Sequence, residues 1–92
     1  MTAETPTDAY AIALTALAAT LTDERRARRF LELTGIGTDD LRRRASEPEL
    51  LRALITFLEA HEPDLVAVSE QIGLQPAELA AVGRSFEQSE ES

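Results

Sequence analysis

All nine basic residues of this chain are arginines, and seven of them fall in two clusters, "RRARR" at 25–29 and "RRR" at 42–44. A guanidinium offers a planar fork of donors that grips carboxylates or phosphates bidentately, so binding chemistry is sought first at these clusters. Both also carry acids at helical spacing. Glu24 with Arg28, Arg28 with Glu32, Asp39 with Arg43 and Asp40 with Arg44 are i, i+4 pairs, each worth about 0.2 to 0.5 kcal/mol on an exposed helix. The plainer reading is therefore a solvated, internally neutralised face. The functional reading is a patch for an acidic protein partner, with Arg25, Arg28, Arg29, Arg43 and Arg44 as the candidate partner-binding residues.

Other reactive chemistry is sparse. His61 is the only imidazole, and "HEPD" places it beside Glu62 and Asp64 without the spacing that sets ligands on one helical face. It reads as a histidine near the negative end of a finishing helix. The chain has no cysteine, which removes disulfides, thiolate nucleophiles and Cys-based zinc sites together. "GIG" at 35–37 lacks the further glycine and the preceding strand of a phosphate loop. No catalytic residue, metal site or cofactor is expected, and the chain is read as not an enzyme.

The segment "SEQIGLQPAELAAVG" at 69–83 fits the outline of a helix-turn-helix: Ser69 four residues before Gly73, Ile72 and Leu74 around it, Leu79 and Val82 beyond. A recognition helix must aim Arg, Lys, Asn or Gln at base edges. This one offers Gln75 and Arg84 beside Glu78 and a row of alanines. The related segment at 31–45 has Arg42 to Arg44 but places Thr34 where an apolar residue belongs. Both are read as corners between helices, with a nucleic-acid-binding regulator as the alternative. The two glycines lie 38 residues apart, but two imperfect copies are fewer than the roughly three that a solenoid needs.

Charge points the same way. The formal charge of −8 divides as −2 over residues 1–22, +1 over 23–52 and −7 over 53–92. Repulsion from the acidic half disfavours polyphosphates and anionic lipid. The uncharged stretch "AYAIALTALAATLT" at 9–22 follows Glu4 and Asp8 rather than a basic region, and is shorter than the roughly 20 apolar residues of a membrane span. It reads as a buried helix, and a cytoplasmic location without membrane contact is expected.

The elements that must position these residues are helical throughout. Thr5 or Thr7 caps a first helix to about Leu21, with Tyr10, Leu14, Leu17 and Leu21 as its inward stripe. Thr22 caps a second, inward through Ala27, Phe30 and Leu33, which Gly35 ends in a left-handed turn closed by Ile36. A short third helix spans 39–45. "SEPE" at 46–49 has the capping-box form and opens a fourth, whose Leu50, Leu51, Leu54, Ile55, Phe57 and Leu58 need cover on more than one side. Pro63 restarts a fifth, inward at Leu65, Val68 and Ile72 and ended by Gly73. Gln75 and Pro76 open a sixth, inward at Leu79, Val82 and Phe86. No run alternates for strand length. The expectation is an all-α, compact bundle of five to six short helices with Gly-capped turns. Residues 1–7 are read as a flexible N-terminus, 8–86 as a single helical domain and 87–92 as a disordered acidic tail.

With the elements in order, a resemblance emerges. Phe30, Leu31, Thr34 and Gly35, then Leu41 and Arg42, Phe57 and Leu58, Glu62, and Gly73, Leu74 and Pro76 fall on the pattern of a small alphaproteobacterial family designated domain of unknown function 3572. Thr38 stands where that family often has proline. The resemblance implies a small helical bacterial protein and brings no catalytic residues. The functional expectation is a non-catalytic protein-interaction module of unassigned partner.

Overall fold

The computed structural model describes residues 5–91, with side chains for 9–86; residues 1–4 and 92 lie outside the described residues. Six helices follow one another: α1 (Thr5–Leu21), α2 (Glu24–Thr34), α3 (Thr38–Arg44), α4 (Pro48–Glu59), α5 (Glu62–Ile72) and α6 (Pro76–Glu91). No strand occurs among the described residues. This is the all-α bundle expected. The sequence boundaries at 8 and 86 fall inside α1 and α6, because Glu and Gln beyond Phe86 sustain a helix and no Gly or Pro stops it. The cap expected of Thr5 or Thr7 rests on side chains outside those described.

α4 is the centre. All six of its large apolar residues are buried, and it packs against α1, α2, α5 and α6. α1, α4 and α6 form the densest contact, with α5 against all three, while α2 touches α1 and α4.

α1 does not bury the stripe its large residues suggest. Its inward face is Ala9, Ala13, Ala16, Leu17, Ala19 and Thr20, whereas Tyr10 and Leu14 are half-buried and Leu21 is 37 % exposed. Four helices pack on α1, with α4, α5 and α6 the most extensive, and small side chains let their backbones come close. The buried hydroxyl of Thr20 donates to the Ala16 carbonyl at 2.8 Å, so it needs no outside partner. α4 and α6 meet closely as well: a Cβ on Gly83 would lie 2.8 Å from Ile55 Cγ2.

The helix starts correct three expectations. α2 is capped by Asp23, which accepts from the Arg26 N–H at 3.1 Å, and not by Thr22. The Thr22 hydroxyl instead donates to the Ala19 carbonyl at 2.7 Å and accepts from Gln71 Nε2 at 3.3 Å. α4 begins one residue after the expected cap, because Pro48 at the first position holds Glu47 extended at φ −75°, ψ 130°. Ser46 gives its carbonyl to the Tyr10 hydroxyl, which ties α1 to this corner. His61 stands before α5 in extended conformation and accepts at its carbonyl from the Asp64 N–H at 2.9 Å, so it opens α5 rather than finishing α4. At α6 the expected start holds, and Glu78 reaches back to the Gln75 N–H at 2.8 Å.

Both glycine corners are left-handed, with φ of 72° at Gly35 and 81° at Gly73. They close differently. Leu74 N–H bonds the Ser69 carbonyl at 2.8 Å and Gly73 N–H the Glu70 carbonyl at 3.2 Å, the paired bonds of a Schellman turn, whereas Gly35 makes one bond, to the Leu31 carbonyl at 2.9 Å. A Cβ at either glycine meets nothing within 4 Å, so a substitution is opposed by backbone conformation alone. Gly35→Ala and Gly73→Ala each lose about 1 kcal/mol in urea denaturation, and Gly73→Asn loses less because Asn tolerates this region. Unchanged midpoints for both alanine variants would refute the assignment.

Candidate functional site

The most built polar constellation is one that the helical spacings do not announce. Asp64, in the first turn of α5, has a side chain only 9 % exposed and accepts from Arg26 Nε of α2 at 3.0 Å. Its second oxygen takes Arg29 Nη2. Arg26 also reaches Asp23 at 3.8 Å. Burial raises the Asp64 pKa, but hydrogen bonds from Arg26 and Arg29, and then their charges, outweigh it and leave the carboxyl below its ordinary value. The carboxylate also sits at a helix N-terminus, where negative charge is favoured.

Arg29 does two things at once. Its guanidinium lies over the Phe57 ring, 5.4 Å from the centroid, while it holds Asp64. Phe57 meets the edge of Phe30 at 5.3 Å and 62°, and Phe30 is fully buried. α2, which touches only α1 and α4 extensively, is thus joined to α5 by ions and to α4 by aromatic packing.

Beside this network an open groove of about 400 Å³ is lined by Arg29, Glu32, Leu33, Phe57, Ala60 and His61. Leu33, read from the sequence as inward, is 70 % exposed. The second helix turns toward the core through Phe30 and Arg26, and the aliphatic position one turn beyond Arg29 is left at the groove wall. A second, smaller groove runs along α1 past Ala11, Ile12, Thr15, Ile72 and Leu74.

The five candidate arginines are not gathered at one site. Arg25 and Arg28 are exposed on α2 and form no ion pair with any described residue. Arg29 lines the groove. On α3, Arg43 pairs with Asp40 and Arg44 with Glu47 at 2.9 Å, both at i, i+3. Among the described residues none of the four i, i+4 pairs expected from the spacing forms an ion pair, and on α3 these i, i+3 contacts stand in their place. His61 and Glu32 share the groove rim, and among the described residues no group of three or more His, Asp or Glu is placed to hold a metal ion.

Ser69, the small residue of the helix-turn-helix outline, is fully buried, as are Leu79 and most of Val82. The exposed positions of α6 include Ala77, Glu78, Ala81 and Arg84, a face with one cation. α6 packs on α1, α4 and α5. No helix among the described residues is long and apolar enough to cross a membrane.

Six helices with the apolar α4 at their centre, and an ion-latched groove at the edge, define a small all-α helical domain. The chain belongs to the family described as protein of unknown function (DUF3572), whose model matches residues 6–88. No curated protein and no solved structure matches it.

Proposed function

We propose that this chain is a non-catalytic protein-interaction module of the bacterial cytoplasm that needs no cofactor, with its binding surface on α2. The observation that carries this reading is Leu33, a large aliphatic side chain 70 % exposed over a groove floored by Phe57 and Ala60. An exposed apolar residue at a preformed groove with a polar rim is the composition of a protein-binding centre. The Arg26–Asp64–Arg29 network supports it by holding the groove wall in place before any partner arrives. Arg25 and Arg28 extend the surface along α2, and Arg43 and Arg44 form a separate cationic edge on α3.

Affinity capture from bacterial cytoplasm with the immobilised chain and its Leu33→Asp variant tests the reading. A protein retained by the wild type and absent from the variant is expected, with unchanged circular dichroism, since Leu33 contributes little to the core. Equal retention by both removes the groove from the function. Recovery of nucleic acid alone, lost on replacing Arg42, Arg43 and Arg44 with alanine, turns the reading to the helix-turn-helix alternative.

A further inference from the structure

We infer that the groove beside Leu33 takes an amphipathic helix bearing carboxylates, its apolar residues on Leu33, Phe57 and Ala60 and its acids over Arg25 and the free donors of Arg29. The inference rests on the protein-binding reading above and adds the chemistry of the partner. Arg25, Arg29 and Leu33 lie four residues apart in α2, so they form one ridge along its surface. At a rise of about 1.5 Å per residue, Arg25 stands about 12 Å from Leu33, a little over two helical turns. A partner helix laid along α2 meets an apolar contact at one end and cations toward the other.

The charges on this ridge favour an acidic occupant. Arg25 is exposed and forms no ion pair with any described residue, and the Arg29 side chain remains 42 % exposed while only its Nη2 is bound to Asp64. Arg28 flanks the ridge, also exposed and without an ion pair to a described residue. Three acids oppose them: Asp23, whose charge acts on Arg25 although its cap bond goes to the Arg26 N–H, Glu24, which lies about 100° round the helix from Arg25, and Glu32, which sits on the groove rim beside Leu33. The acids of a partner are therefore directed to the N-terminal half of α2, away from Glu32. Arg forks bind carboxylates bidentately at such edges, and an apolar anchor seated in a groove supplies the larger share of affinity.

The net charge of −8 makes the test stringent, since long-range attraction alone favours a basic ligand. The probes are two fluorescein-labelled, alanine-based helical peptides with the same leucine ridge, differing only in Glu or Lys on the polar face. Fluorescence anisotropy is expected to show the Glu peptide bound at least about tenfold more tightly, a difference of about 1.4 kcal/mol. Arg25→Glu should abolish this preference. Arg84→Glu on α6, which changes the net charge equally, should leave it intact, and Leu33→Asp should weaken both peptides. Tighter binding of the Lys peptide, equal binding, no binding of either up to millimolar concentration, or a Glu preference that survives Arg25→Glu overturns the inference. If Leu33→Asp still releases a captured protein in those cases, the protein-binding reading stands and only the acidic partner falls. If it releases none, both fall.

Discussion

Leu54→Ala lowers the stability of this domain by about 2 to 5 kcal/mol, the range for truncating a buried leucine. Leu54 is fully buried on α4, which packs against four other helices, so the lost side chain leaves a void that no single element can collapse to fill. A domain of this length holds about 5 to 14 kcal/mol in total, at roughly 0.05 to 0.15 kcal/mol per residue. The melting temperature therefore falls by at least about 8 °C, given roughly 4 to 8 °C per kcal/mol at this size. Leu33→Ala is the internal comparison. The same chemical change at a residue 70 % exposed alters stability by less than about 0.5 kcal/mol. Thermal melts of both variants check the pair, and equal losses would contradict the placement of both residues.

The second large effect lies at Asp64. Asp64→Ala costs about 3 kcal/mol, the lower end of the range for breaking a buried ion pair, because Arg26 is left desolvated while Arg29 retains access to water. Acid reaches the same interaction by another route. The folded carboxyl titrates below its unfolded value of about 3.9, so its contribution is fully present above that pH and disappears as pH falls through the folded value. Urea denaturation of the wild type is thus expected to show a stability decline below about pH 4 that is shallower in Asp64→Asn. A parallel acid limb in the two proteins would show that Asp64 is not held by Arg26 and Arg29.

Local chemistry was legible where one residue decides the backbone. Gly35 and Gly73 follow helices and take positive φ, and Gln75 with Glu78 opens α6, because such signals act within one turn. The starts of α2 and α4 were less legible. Thr22 and Asp23 both suit a cap, and the choice fell to Asp23 once Thr22 could bond the end of α1 and Gln71 of α5. At α4, Pro48 moved the start past Ser46, whose carbonyl was then taken by Tyr10 from α1, 36 residues earlier.

The candidate site was legible in part. Arginine content marked α2 and α3, but each arginine had several acids within reach, and exposed pairs differ by too little energy for spacing to rank them. Arg26 escaped notice because its main partner, Asp64, lies 38 residues away on α5, where it reads only as a neighbour of His61. Leu33 was misplaced for a related reason: periodicity locates an apolar stripe but not the width of the surface available to cover it.

The sequence by itself determined that this chain is all-α, where its glycines turn it, that α4 lies at the centre and which family pattern it follows. Helical period, caps and a nearly all-round apolar helix are written in residues three or four apart, and water excludes such a helix from the surface whatever its neighbours are. Only the tertiary structure decided that α1 buries four alanines with Leu17 while Leu14 and Leu21 stay partly exposed, that Asp64 latches α2 to α5, and that Leu33 stands at an open groove beside Phe57. Those outcomes depend on which faces meet across long stretches of chain. Close approach of neighbouring helices favours small side chains on α1, and a buried carboxylate selects the two guanidinium groups that can reach it together.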